Sequence, residues 1–151
     1  MTVVHLPIAL IASTLWIGFV SAISFMEAWL KFRAPGITIP LGLGIGRLVF
    51  NALNKIEWVL ATLIICNLIL AKEQFINPVK GGQGIFYLIP LLILLFQTLW
   101  LLPQLDARAQ MQINGKPVLP SKLHFYYAGL EVVKVVFLAT FILTLFKNIT
   151  T

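Results

Sequence analysis

A single cysteine, Cys66, interrupts an otherwise cysteine-free chain of 151 residues. No disulfide can close within the chain, and no cysteine-based metal site can be assembled. Cys66 lies in an apolar stretch and is expected in the protein core. Acidic residues are almost as scarce: there are five, and Asp106 is the one aspartate among them. No Glu-x-x-His occurs, which removes the di-metal carboxylate pattern of helical bundles. Runs of basic residues are missing too. The net charge of +6 and the pI near 9.8 come from cations scattered at helix ends and inside helices, so nucleic acid is not an expected partner. No Lys or Arg precedes the first apolar run, which begins at Leu6 and continues past Ser24. The small residues Val20, Ser21 and Ala22 are therefore not read as a cleavage site, and the segment is expected to be retained. Gly42, Gly44 and Gly46 lack the spacing and the preceding strand of a dinucleotide fingerprint.

What the chain has in abundance is apolar residues, at 60%, with a mean hydropathy of +0.97. Soluble domains are about half apolar, so the solvent implied is lipid. Residues 6–26 contain no charge, and these 21 residues would rise about 31 Å as a helix, close to the hydrocarbon thickness of a bilayer. Four such segments fit the length, at residues 6–32, 46–72, 84–102 and 122–146, and no room remains for a soluble domain. The expectation is an all-α integral membrane four-helix bundle forming one transmembrane domain over residues 1–151. Ala34, Pro35 and Gly36 stop the first span, since proline restricts its predecessor and glycine permits a turn. Residues 40–46, with Pro40 and three glycines, read as a loop. Asn77, Pro78, Gly81 and Gly82 form the next turn, and Pro90 kinks the third span. Residues 104–121 are polar, a stretch into which the third helix can project before it turns.

Lys31, Arg33 and Arg47 in the first connection, with Arg108, Lys116 and Lys122 in the third, number six against Lys72, Lys80 and Lys147 on the other face. The positive-inside rule then puts loops one and three in the cytoplasm and both termini outside, in a setting we expect to be the bacterial inner membrane. The partner common to every reading is the lipid bilayer, with a homo-oligomer or a larger membrane complex as further candidates.

Depth turns the remaining charges into candidates. On the first span Thr14, Gly18, Ser21, Ser24, Glu27 and Lys31 follow at steps of three or four, a drifting face expected to look inward. Glu27 and Lys31 stand at i,i+4 with the acid first, the better order for a helical pair. Arg47, Asn51, Asn54 and Glu57 make a stripe on the second span with Lys55 beside it. His124, Glu131 and Lys134 come from the fourth. Counted from the cytoplasmic ends, Glu57 and Glu131 lie about 14 Å deep and Glu27 about 9 Å. A charge facing lipid at such depth costs a few kcal/mol or more, so these residues turn inward and find partners. The expectation is one network of Glu27, Glu57 and Glu131 with Lys31, Arg47, Lys55 and Lys134. Three negative against four positive charges would favour a bound small polar or anionic species, a deprotonated lysine or a water path. Two readings stand: ion pairs that glue helices and fix their register, or a ligand, ion or proton site. His5 reads as an interfacial residue, and His124 as the better functional histidine because it shares a face with Glu131. A metal held by Glu27, Glu57, Glu131 and His124 is opposed by the neighbouring lysines, and no cofactor is indicated.

Phe32, Arg33, Ala34 and Pro35 closing the first span, with Gly46, Arg47, Leu48, Val49 and Phe50 opening the second, resemble a family of bacterial four-span membrane proteins related to eukaryotic transmembrane protein 205. A histidine opening the last span also fits. The resemblance implies a four-helix membrane fold and, as that family has no established biochemistry, no mechanism. Asn54 and Glu57 in an Asn-x-x-Glu arrangement are similar to the signature of the membrane-associated eicosanoid and glutathione metabolism proteins. That likeness implies a trimeric transferase binding glutathione through Arg47, Asn54 and Glu57. The arginine and histidine that precede the signature in that family are missing, and the long segment 104–121 fits it poorly. A non-enzymatic membrane protein is the preferred expectation, with the transferase and an accessory subunit of a respiratory or transport assembly as alternatives.

Overall fold

Ala34 precedes Pro35, and the proline ring denies its predecessor the helical region. Ala34 is accordingly extended, at φ −68° and ψ 134°, and Gly36 follows at φ +78°, where a side chain would be strained. The first helix ends there as the residues predict. The computed structural model of the chain describes residues 2–4, 6–71, 83–119 and 121–148. Four helices in it are long and apolar enough to cross a membrane: α1 (Pro7–Arg33), α2 (Ile39–Leu70), α3 (Gly84–Ile113) and α4 (Leu123–Thr144). The fold is all-α and the chain is an integral membrane protein. Two three-residue strands, β1 (Thr2–Val4) and β2 (Phe146–Asn148), pair antiparallel and tie the chain ends together at one end of the bundle. The turn expected around Asn77, Pro78, Gly81 and Gly82 lies outside the described residues, as do His5, Lys72 and Lys80.

One boundary differs from expectation, for a local reason. The segment read as a loop over residues 40–46 is the first two turns of α2, which runs for 32 residues. Thr38 caps it by accepting from Leu41 N at 3.4 Å, and Pro40 sits in the first turn, where no N–H is missed. Gly42 and Gly46 serve packing there, and none of the three glycines breaks the helix. A Cβ on Gly42 would collide with the Phe32 ring, and one on Gly46 would meet Lys31 Nζ at 3.0 Å. Small residues four apart thus let α2 close against the end of α1. The third helix projects into the polar stretch that follows its span, as its residues allow, and continues through Pro103 to Ile113. A wide π turn at Gln97–Leu101 ends two residues before that proline, so the hydrogen bond it cannot donate falls where the ladder is already opened.

The helices form a ring in chain order, with α1 against α2 and α4. The first half of α3 packs on α4 and its second half on α2, so α3 leans across the bundle. Toward the β1–β2 end the interior is apolar and tightly filled by residues such as Ala9, Ala12, Ile64, Tyr87, Phe141 and Leu145. The Tyr87 hydroxyl is satisfied by the Ala61 carbonyl at 2.7 Å. Large apolar side chains including Ile11, Leu48, Leu70, Leu99 and Leu143 point outward, as lipid permits. Cys66 is among the exposed residues, contrary to its expected core position. The buried stripe of α2 runs through Leu53, Glu57, Ala61, Ile64 and Leu68, and Cys66 falls off it.

Candidate functional site

The buried stripe of α1 is Ala9, Ala12, Ser13, Trp16, Val20 and Ser24. Thr14 and Gly18, expected inward, face out instead. Thr14 is free to do so because its hydroxyl bonds the Leu10 carbonyl of its own helix at 2.8 Å. Seven residues, Ser21–Glu27, then wind as a π segment, which shifts the register. This brings Ser24 and Glu27 inward on a line that does not continue from Thr14.

Trp16 is the first member of a polar cluster that every helix enters. Its indole N–H donates to Glu57 Oε1 of α2 at 2.7 Å. Lys134 of α4 donates to the same oxygen at 2.5 Å and reaches Glu131 Oε2 at 3.1 Å. Gln97 of α3, in the π turn, donates to Glu131 Oε1 at 3.1 Å. Trp16, Glu57, Gln97, Glu131 and Lys134 are all 0% exposed. Of the residues proposed from sequence, Glu57, Glu131 and Lys134 thus come together. Trp16 carried no signal in the polar periodicity, because a buried tryptophan reads as core until its N–H is given an acceptor.

The other candidates divide into separate clusters, and the single expected network is not formed. Glu27 pairs with Lys31 at 3.1 Å along one turn of α1. Arg47 turns to Asp106 in a two-pronged bridge, Nε to Oδ1 at 2.5 Å and Nη2 to Oδ2 at 2.9 Å, and its third donor goes to Gln110. Asp106 drew no attention in the sequence because it lies in the polar stretch beyond the third span, outside the reach of the depth argument. Asn54 donates to Thr98 Oγ1 at 2.9 Å, an acceptor shared with Trp58, while Asn51 is exposed. Lys55 is exposed and belongs to none of these clusters. The reason is depth along α2: Arg47 and Glu57 are separated by ten residues, about 15 Å of helix rise. The charge count is correspondingly reversed. Deep in the bundle stand two carboxylates and one ammonium, a formal excess of one negative charge.

Between these clusters lies a cavity of about 250 Å³. Phe32, Phe50, Leu102 and Leu105 form apolar walls, and Lys31, Arg47, Asn51, Asp106 and His124 bring polar groups to it. Tyr127 also lines it. That residue is 1% exposed and its hydroxyl faces Glu131 and Ser24, while Glu57 Oε2 and Gln97 Oε1 make no hydrogen bond among the described residues. Tyr127 stands one helical turn before Glu131 and so separates the cavity from the deep acids. His124, expected to work with Glu131, instead borders the cavity one turn further out. Arg47, Asn54 and Glu57, which a glutathione site would require to converge, engage three different partners, and of these only Arg47 lines the cavity. No protein-family model, curated protein or solved structure matches the chain.

Proposed function

We propose that this membrane protein is non-enzymatic and that Glu57, Lys134 and Glu131 form a proton-accepting site, used as the bundle binds or passes a small polar species. The observation that carries this reading is the charge count in a dry place. Lys134 faces two carboxylates, and all three side chains are 0% exposed. Fully ionised, the triad holds one uncompensated negative charge, which surroundings of low dielectric constant penalise by several kcal/mol. One proton removes it. The unpartnered Glu57 Oε2, with the Gln97 Oε1 and Tyr127 hydroxyl oxygens, supplies acceptors that a protonated carboxyl needs. A metal ion suits the triad less well, since the Lys134 ammonium already bridges the carboxylates and would repel it.

We assign the cavity end to the cytoplasm of a bacterial inner membrane, with both termini outside, because Lys31, Arg33, Arg47, Arg108, Lys116 and Lys122 gather at that end. The same corner contains the residues on which kinship with the transmembrane protein 205 relatives is proposed. Phe32 and Arg33 close α1 there, and Gly46 lies against Lys31.

Infrared spectra of the reconstituted protein, taken through a titration from about pH 4 to 9, test the proton site. The expected result is a protonated-carboxyl band that titrates and that Glu57→Gln or Glu131→Gln alters. If no titrating carboxyl can be traced to either residue, the triad is a fixed ionic clasp and the reading fails.

A further inference from the structure

The donors and acceptors around the cavity do not balance. Both Asp106 oxygens accept from Arg47, which spends three of its five N–H donors on Asp106 and Gln110. Lys31 is different. Its side chain is 9% exposed and has three N–H donors, yet its one hydrogen-bond acceptor is Glu27 Oε2. The ammonium sits instead over the Phe32 and Phe50 rings, 5.4 and 5.6 Å from their centroids. His124 and Asn51 line the same cavity, and neither side chain bonds another described residue. Against these donors stand fewer unpartnered acceptors: Glu27 Oε1, Asn51 Oδ1 and one nitrogen of a neutral His124. The remaining walls are apolar.

From this imbalance we infer that the cavity binds an amphiphilic anion, a carboxylate or phosphate head on an apolar body. The head meets Lys31 and His124, and the body lies between Phe32, Phe50, Leu102 and Leu105. Ammonium donors in a partly desolvated site bind an anion far more strongly than in water, because charge-assisted hydrogen bonds there have little competition. A cationic head would meet Lys31 and Arg47, and a neutral head would accept from Lys31 more weakly than an ionised one. The inference deepens the functional reading by naming the class of species bound, but it stands on the cavity and not on the triad. Tyr127 borders both, so the bound anion would sit next to the proton site.

Equilibrium dialysis against phosphatidylcholine nanodiscs holding the full chain, with empty discs subtracted, tests it using octanoate, octyl phosphate, octylamine and octanol. Octanoate and octyl phosphate are expected to bind, and octylamine and octanol are not. Lys31→Met should weaken octanoate binding by about 10- to 100-fold, the loss of a hydrogen bond to a charged group. Lys55→Met, which removes an equal charge from an exposed site outside the cavity, should leave it unchanged. Displacement of octanoate by added phosphatidylglycerol would support a bilayer lipid as the natural source. Octanoate binding that phosphatidylglycerol leaves intact would support a free amphiphile. Equal binding of octanol or octylamine in the wild-type chain overturns the proposal without recourse to a variant, and so does unchanged octanoate affinity in a folded Lys31→Met. Glu57→Gln separates the two readings: loss of the titrating carboxyl with octanoate binding intact means that each stands alone.

Discussion

The middle of the bundle and its cavity end use the same residue types under different solvent conditions. In the middle, Glu57, Glu131 and Lys134 are sealed from water, and with Trp16 and Gln97 they join all four helices. At the cavity end, Arg47 and Asp106 are 31% and 35% exposed, and Glu27 with Lys31 forms a pair inside one helix. An ion pair that water can reach gains little, since each partner is nearly as well solvated alone. A pair that water cannot reach is costly to assemble and far more costly to break. The deep triad should therefore govern stability and the outer pairs should govern the shape and polarity of the cavity.

Removing Lys134 is the harshest way to test that contrast. Lys134→Met leaves two carboxylates facing each other with no cation between them, and a loss of about 3–5 kcal/mol is expected. Denaturant unfolding in bicelles, followed by tryptophan fluorescence, reads it. Adding Glu57→Gln and Glu131→Gln to the same chain should restore most of the loss, because the buried charges disappear together. A loss no larger than that of an exposed lysine such as Lys55 would mean that the middle of the bundle is wet.

A smaller effect is expected at the α1–α2 corner, where packing and not charge is at stake. Gly42→Leu puts a side chain into the Phe32 ring that borders the cavity, an overpacking expected to cost about 1–3 kcal/mol. Gly44→Leu is the control, since a Cβ there meets nothing within 4 Å. Equal tolerance of the two would show that α1 and α2 do not need their close approach.

These regions were unequally legible in the sequence. Apolar runs of membrane length announce themselves, and Glu57, Glu131 and Lys134 were recoverable because charges at similar depth on different helices have few places to go. Gly42 and Gly46 misled because their role depends on Phe32 and Lys31 of another helix, which periodicity within α2 cannot reveal. The inward face of α1 was misjudged for two physical reasons. A threonine can satisfy itself on its own backbone and face lipid, and a π segment moves the register partway along the helix. Asp106 was not weighed because an acid in a polar stretch beyond the membrane span carries no depth signal, and its partner Arg47 lies on another helix.

The mildest test falls on the Arg47–Asp106 pair. Asp106→Asn keeps the shape of the side chain and one acceptor for Arg47 but removes the charge. Because both partners are about one-third exposed, the expected loss is about 0.2–1 kcal/mol, toward the upper end for a two-pronged bridge. It should also shrink with added salt, which screens exposed charges within about 10 Å at 0.1 M and hardly touches buried ones. Unfolding curves at low and high salt for Asp106→Asn and Lys134→Met together make the comparison direct. The outer loss should fade as salt rises while the inner one persists. If both respond to salt alike, water reaches the triad, and a proton bound there would exchange freely without waiting on the cavity.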